Sequence, residues 1–358
     1  MSPPPFCPPP VVSTRSTPAK ARARSKSPAP KAKAAPKAKA APKPATPKAS
    51  PRGRSKSPAP KKTPKATPAT PKKKAALVTY APPSAPLMGV WVLTLAVAFR
   101  HLSPTLSSVL SEPASAPATW LGALRASACA LIFAVELSEV LRGGQVEATH
   151  YMPESRLRPA EVDVSGLRQL TFFTHWSWCF LGLYFGLAAA GSPWAPVLFG
   201  IGAPSSLLVT VIVTFVIWPG CLEKSLDTTN LKDTPTLLMH NANSFLVVME
   251  VLAGTQLPLE LLPVCPLFGA TYILFSWARS HTISPKDGVQ FMYDFLDTTL
   301  PVKIQLSAYL GLLAVLVLFS LLTTAACWLV AYAAARDGER LVAAFLLLAT
   351  AILCKLKD

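Results

Sequence analysis

Long apolar stretches recur along the chain from residue 86 onward and are separated by short polar segments. A helix needs about 20 apolar residues to cross the hydrocarbon core of a bilayer. The longer stretches predict transmembrane helices over residues 119–141, 168–190, 197–218, 235–254, 263–280 and 303–335. Two further stretches, 86–102 and 341–354, have shorter apolar cores. The pattern therefore predicts six spans, and eight if both short stretches also cross.

The periodicity favours helices over strands. No interval shows the alternation of apolar and polar residues that a membrane β-barrel requires. Most tryptophans stand near the proposed span ends, where interfacial aromatic residues collect. We predict an all-α fold, a polytopic transmembrane helix bundle. Its predicted parts are a tail at 1–75, a linker with the first span at 76–118, a six-span core at 119–335 and a C-terminal helix at 336–358.

Basic residues mark every second predicted loop up to residue 302. The one exception to the alternation is the loop 336–340, where Asp337 and Glu339 neutralise Arg336 and Arg340. Lys or Arg occurs in loops 142–167, 219–234 and 281–302, whereas loops 103–118, 191–196 and 255–262 contain none. Cytoplasmic loops of membrane proteins carry the excess of Lys and Arg. The alternation therefore predicts an integral protein of an endomembrane or the plasma membrane, with both termini in the cytosol. The basic tail and loop 142–167 lie on the same side only if 86–102 crosses as well as 119–141, and the basic C-terminus joins them only if 341–354 crosses. The charge pattern therefore requires eight crossings and supports the two short spans.

The charge of the chain is concentrated at its start. The 358 residues carry a formal net charge of +17, yet residues 1–75 hold 20 of the 35 basic residues and no acidic residue. The same segment holds 19 of the 37 prolines. Such a composition cannot bury enough apolar surface to fold, so we predict a disordered basic tail. This division of charge excludes a single soluble domain.

Three roles for the tail stay open. The first is a solvated tether. The second is an arm that binds anionic lipid headgroups, because basic residues near a charged membrane surface are attracted to it. The third is nucleic-acid contact through counterion release. The sequence points to no specific protein partner.

Metal ligands do not cluster along the sequence. The seven cysteines are scattered and contain no CxxC pair. His175, His240 and His281 lack the helical spacing of a zinc hydrolase. We therefore expect neither a bound metal nor a cofactor.

Polar residues in the predicted spans, and two aspartates that precede span 303–335, collect towards the cytosolic side. They are Glu136, Glu139, Thr171, Thr174, His175, His240, Asn241, Asn243, Asp294 and Asp297. Thr171 and His175 are four residues apart, a spacing that places two side chains on one face of a helix. Ionisable groups at membrane depth are costly and usually face the bundle interior. We expect these residues to form one site. The alternative is that they are interfacial residues at helix ends, hydrated in the headgroup region.

Four segments resemble, in order, the androgen-induced-gene family and its Rolling stone-like relatives. The first is LTFFTHW at 170–176, similar to the family's LTF…TxW segment. The second is MHNANS at 239–244 with Glu250 ten residues after His240, similar to HGxN[ST]…E. The third is GATYILFSW at 269–277, and the fourth is VQFMYDFLD at 289–297, similar to W-x-YPFLD. The resemblance covers residues 119–335.

The resemblance implies a multi-span hydrolase that cleaves fatty acid esters of hydroxy fatty acids with a threonine and a histidine. Carried over by position, the threonine is Thr171 and the histidine is His240. A threonine hydroxyl needs a base to take its proton, and histidine is the most common one. Asn241 or Asn243 is a candidate donor to the oxyanion. His175 is an alternative base, and Asp297 is a further polar candidate for support.

A non-catalytic reading stays open beside the hydrolase. In that reading the chain is a membrane scaffold whose basic tail binds anionic lipids or partners. The two hypotheses differ in the reactivity that they predict for Thr171 and His240.

Overall fold

The computed structural model describes residues 77–111, 117–223, 229–336 and 338–354, which form a helical bundle with one short hairpin. The tail at 1–75, and with it the predicted disorder and the lipid and nucleic-acid contacts, lies outside these residues.

The elements follow one another with few residues between them. The α-helices are α1 (Ala85–Ser111), α2 (Thr119–Leu141), α3 (Phe173–Ala189), α4 (Ala195–Ile212), α5 (Trp218–Glu223), α6 (Thr234–Leu237), α7 (Asn243–Leu252), α8 (Val264–Arg279), α9 (Val302–Ala334) and α10 (Glu339–Leu353). The π-helical turns Val213–Ile217 and Leu238–Ala242 join α4 to α5 and α6 to α7. Short 3₁₀ helices form at Gly166–Thr171, Thr229–Lys232, Leu259–Leu261 and Asp294–Leu296. The antiparallel strands are β1 (Val146–Ala148) and β2 (Glu161–Asp163).

Within the described part of the chain, five helical segments are long and apolar enough to cross a membrane. They are Ala85–Ser111, Thr119–Leu141, Ala195–Glu223, Leu259–Arg279 and Val302–Ala334. The first of them contains the predicted stretch 86–102. The short apolar core of that stretch continues as a regular helix of 27 residues.

Three predicted spans form helices that do not meet these criteria. Helix α3, within 168–190, has 17 residues, which rise about 25 Å. The segment Thr234–Leu252, within 235–254, is less apolar because it carries a histidine, two asparagines and a glutamate. Helix α10 has 15 residues. Length and composition thus single out five helices among the described residues, fewer than the six to eight predicted.

The outer faces of the bundle are apolar. Phe99 of α1, Leu141 of α2, Trp328 of α9 and Leu348 of α10 are each exposed by 63% or more. Water-soluble proteins rarely expose apolar surface that is this extensive, whereas a lipid environment favours it. The chain is therefore a multi-pass integral membrane protein.

Helix α3 lies in the interior and packs against α2 and α4. Its Trp178, Leu181 and Tyr184 are at most 1% exposed. A Cβ atom on Gly202 of α4 would lie 2.9 Å from the Cα of Leu181. Only glycine permits that approach, and small residues commonly bring membrane helices together in this way.

One end of the bundle carries a cap made from segments 77–84, 142–172 and 280–301. The backbone N–H of Val289 donates to the carbonyl of Val78 at 2.9 Å. At the same end Arg142 donates to the carboxylate of Asp233 at 2.7 Å. Loops 142–167 and 281–302 and the described end of loop 219–234, which the charge pattern predicted on one side, therefore meet at one end.

The last helix returns to this capped end. The Thr214 hydroxyl donates to the carbonyl of Leu353 at 2.7 Å. The Cys354 thiol donates to the carbonyl of Asn241 at 3.4 Å. Because Asn241 lies near the start of the segment Thr234–Leu252, the C-terminal end of α10 lies close to the capped end.

A buried carboxyl stands in the cap. Glu147 of β1 is 4% exposed, and its Oε2 has no hydrogen-bond partner. Its partner across the hairpin, Val162, is also buried. Removal from water raises the pKa of Glu147 from 4.5 to about 8, because burial disfavours the charged form.

We predict that this carboxyl makes the folded protein less stable as pH rises. Between pH 4.5 and about 8 the folded state keeps the proton that the unfolded state releases. The free energy of unfolding should fall by about 1.4 kcal/mol per pH unit in that window. Thermal unfolding of the purified protein in detergent should show this slope, and Glu147→Gln should reduce it. The exposed neighbour Glu161 on β2 provides the control, since Glu161→Gln should leave the slope unchanged. An equal slope in wild type and Glu147→Gln would contradict the prediction.

Candidate functional site

A carboxylate–imidazole pair lies between α2 and α3 near the capped end. His175 Nδ1 is 3.0 Å from both Oε1 and Oε2 of Glu136. Both residues are less than 10% exposed. The pair forms because Glu136 lies in the last turns of α2, while His175 is the third residue of α3. A carboxylate at Nδ1 holds the proton there and fixes the orientation of the ring.

Thr171 is buried where the cap meets α3. Its hydroxyl donates to the carbonyl of Arg168 at 2.6 Å. Its own carbonyl accepts a hydrogen bond from the Tyr272 hydroxyl at 2.7 Å. The prediction that Thr171 and His175 share one helix face is wrong. Phe172 is extended, with φ −90° and ψ 137°, so Thr171 ends a 3₁₀ helix and α3 begins after it.

His240 lies in the π-helical turn between α6 and α7. Its Nδ1 is buried without a hydrogen-bond partner. Its ring is close enough to His175 for an electrostatic interaction between the two. No hydrogen bond joins His240 to Thr171 among the described residues. The structure thus brings the second imidazole towards His175, and the hydroxyl–imidazole contact expected between Thr171 and His240 is not made.

Asn243, three residues after His240, links α7 to α4. The Asn243 amide donates to the carbonyl of Ser206 at 3.2 Å. Its oxygen accepts from the Thr210 hydroxyl at 2.8 Å, so its side chain is engaged within the protein rather than free as an oxyanion donor. Thr210 also approaches the carbonyl of His240 at 2.5 Å. Asn241 is buried on the same turn.

Asp297 lies in the cap and takes no part in this cluster. Its carboxylate accepts hydrogen bonds from the Ser155 hydroxyl and, at 2.7 Å, from the backbone N–H of Thr299. The structure therefore gives Asp297 a role in holding two loops together. No hydrogen bond links it to Thr171, His175 or His240.

A second buried polar cluster lies at the opposite end of α3. Arg125 Nη2 of α2 donates to Glu250 Oε2 of α7 at 2.8 Å, with both side chains nearly buried. The Tyr184 hydroxyl donates to the same oxygen at 2.5 Å, and the Thr255 hydroxyl does so at 2.9 Å. This ion pair fixes α2, α3 and α7 to one another.

Sequence reasoning missed both pairings, although signals for them were present. Arg125 is the single cationic residue of α2, and Glu250 is the single anionic residue of the segment Thr234–Leu252. Opposite charges at membrane depth are expected to pair. Glu136 and His175 carried the same signal, but the motif resemblance drew attention to His240.

The cluster at the capped end has the elements of acid–base chemistry. Glu136 orients His175, a second imidazole lies nearby, and a threonine hydroxyl lies four residues earlier in the chain. Among the described residues, no group of three or more His, Cys, Asp and Glu side chains that could hold a metal ion is found. An imidazole that a carboxylate orients can transfer protons, and a threonine hydroxyl can act as a nucleophile once a base takes its proton.

No protein-family model, no curated protein and no solved structure matches the chain.

Proposed function

We propose that the chain is a membrane-embedded lipid ester hydrolase in which Thr171 is the nucleophile. The observation that carries the proposal is the buried Glu136–His175 pair, which provides an oriented imidazole close in sequence to a buried threonine. A base that is itself oriented by a third group is the usual arrangement for activating a hydroxyl. The four segments that resemble the androgen-induced-gene family supply the substrate class, fatty acid esters of hydroxy fatty acids.

The reaction begins with a change at Thr171. Its hydroxyl turns from the Arg168 carbonyl, to which it donates, towards His175 Nε2. The imidazole takes the proton as Oγ1 attacks the ester carbonyl, and the alcohol leaves with that proton. Water, activated by the same imidazole, then cleaves the acyl-threonine and releases the fatty acid. In this proposal His175 replaces His240 as the base, and the unpaired Nδ1 of His240 contacts the substrate.

The experiment is labelling with a fluorophosphonate probe, combined with hydrolysis of a long-chain fatty acyl ester by purified protein in detergent micelles. Thr171→Val should abolish both signals. Glu136→Leu and His175→Gln should each lower turnover at least about 100-fold, the lower range for loss of a general base. The matched control is Thr271→Val, because Thr271 on α8 also donates to a carbonyl in its own helix, at 2.9 Å, and is exposed. It should keep wild-type turnover.

Different results separate the competing hypotheses. If His240→Gln abolishes turnover while Glu136→Leu retains it, His240 is the base and the orienting role of Glu136 is wrong. If Thr171→Val labels and turns over like wild type, Thr171 is not the nucleophile. If the wild-type protein shows neither labelling nor turnover, the result favours the scaffold hypothesis. The hydrogen bond from the Thr171 hydroxyl to the Arg168 carbonyl also favours that hypothesis.

We infer that the chain crosses the membrane eight times and that both termini are cytosolic. Two observations support this arrangement. The basic loops meet at one end of the bundle, where Arg142 contacts Asp233. The end of α10 lies near the same end, where Cys354 contacts Asn241. In this arrangement α3, the segment Thr234–Leu252 and α10 also cross the membrane, and they lie between or beside the five longer segments.

Epitope tags at the two termini test the arrangement in sealed vesicles with the cytosolic face outside. Protease should remove both tags without detergent. A C-terminal tag that is protected while the N-terminal tag is cut would show an odd number of crossings, so at least one of the eight proposed spans would not cross.

A further inference from the structure

The basic residues of the tail have no part in the proposed hydrolase. Residues 1–75 contain 20 Lys and Arg and no Asp or Glu, which gives this segment a charge of +20. From residue 76 onward, 15 basic and 18 acidic residues leave a charge of −3. Because the body has no positive excess, the overall attraction of the protein to an anionic surface comes from the tail.

The structure shows where the tail joins the bundle. The segment 77–84 leads into α1 and is bonded to the cap and to α9. The Val289 N–H donates to the Val78 carbonyl at 2.9 Å, and the Ser84 hydroxyl donates to Gln305 Oε1 at 2.9 Å. The tail is therefore attached at the capped end of the bundle, where the basic loops also meet.

The lysines closest to this attachment point cannot be far from the membrane. Helix α1, which is long and apolar enough to cross a bilayer, begins at Ala85. Lys72, Lys73 and Lys74 lie within five residues of Leu77, so covalent geometry keeps them within about 18 Å of it. In the arrangement with cytosolic termini, this end of the bundle faces the cytosolic leaflet, which carries anionic lipids.

The hydroxyl residues of the tail follow a pattern of their own. Between residues 15 and 74 there are 11 serines and threonines, and eight of them directly precede a proline. Proline makes up 19 of the 75 tail residues, so chance would place it after about three of the 11. Each of the eight lies within two residues of a Lys or Arg. They are Thr17, Ser27, Thr46, Ser50, Ser57, Thr63, Thr67 and Thr70.

Two observations favour a lipid partner over a nucleic acid, which has the same sign of charge. The tail is covalently joined to a membrane span, so lipid headgroups are always close to it. No aromatic residue follows Phe6 within the tail, whereas proteins that bind single strands usually stack bases on aromatic side chains.

We propose that the tail binds anionic phospholipids of the adjacent leaflet and that phosphorylation at the eight Ser-Pro and Thr-Pro sites releases it. A proline-directed kinase transfers the γ-phosphoryl group of ATP to the hydroxyl oxygen, and ADP and a proton are the other products. Each phosphate adds about 1.5 to 2 negative charges, so eight of them cancel most of the +20. Loss of this charge weakens the attraction to the membrane surface, as in an electrostatic switch.

The first experiment measures the binding of the full-length protein to vesicles. The protein is held in phosphatidylcholine nanodiscs and sedimented with sucrose-loaded vesicles of phosphatidylcholine, alone or in an equimolar mixture with phosphatidylserine. The mixed vesicles should bind at least about tenfold more tightly, because each basic residue near an anionic surface contributes about fivefold in affinity. Salt at about 1 M should remove the difference, since charges are then screened beyond about 3 Å.

Two results of this experiment would overturn lipid binding. Equal affinity for the two kinds of vesicle would leave the tail as a plain tether. Tighter binding to a DNA duplex than to the mixed vesicles, at the same salt concentration, would assign the tail to nucleic acid.

The second experiment repeats the measurement after treatment with a proline-directed kinase and ATP. Mass spectrometry should find phosphate on the eight sites, and the affinity for mixed vesicles should fall at least about tenfold. The matched control carries Thr17→Ala and the seven corresponding changes, which leave all 20 basic residues in place. It should bind like untreated wild type before and after the kinase. Phosphorylated wild type that binds as tightly as untreated protein, or the absence of phosphate from all eight sites, would overturn the switch.

Discussion

The structure depends on one constraint, which is that polar groups buried in a membrane bundle must find partners inside the protein. Helix α3 shows the consequence most clearly. His175 in its first turn pairs with Glu136, and Tyr184, nine residues later, donates to Glu250, which also pairs with Arg125. Helix α3 is therefore held at two positions along its length by buried hydrogen-bonded pairs that are shielded from water. Breaking a buried pair by removing one partner typically costs about 3–5 kcal/mol.

The same constraint explains why the proposed site lies at the capped end. The π-helical turn at His240 leaves backbone groups that need other partners, and Thr210 of α4 approaches the freed carbonyl. Such turns occur frequently at functional sites. Around this turn most polar atoms are satisfied, so the unpaired Nδ1 of His240 stands out. The loops of the cap close this end and bury Thr171, which limits access by water.

Hydropathy and charge made part of the fold predictable. The apolar stretches indicated helices at the right places, and the alternation of basic loops anticipated which segments meet at one end. The count of spans was less predictable, because α3 is short but interior and the segment Thr234–Leu252 is polar. Periodicity along one chain does not reveal that a neighbouring helix shields a short or polar segment from lipid.

The site was less predictable than the fold. Sequence spacing suggested a common helix for Thr171 and His175, but one extended residue, Phe172, separates them. The pairing of Glu136 with His175 joins two helices across 39 positions, and no local rule specifies such a contact. Asn243 and Asp297 were interpreted as chemical groups because they are polar, lie in or beside predicted spans and fall in the segments that resemble the family. In the structure the Asn243 side chain bonds to α4, and Asp297 holds two loops of the cap together.

The central claim is that Glu136 orients His175, and nitrogen NMR of the histidine side chains tests it most directly. Protein labelled with ¹⁵N-histidine would be measured in detergent micelles, with His175→Gln used to assign the signals. The structure predicts a proton on Nδ1 of His175, held by the carboxylate at 3.0 Å, and a shift of that signal in Glu136→Leu. A His175 ring that carries its proton on Nε2 alone, or signals that are unchanged in Glu136→Leu, would contradict the claim.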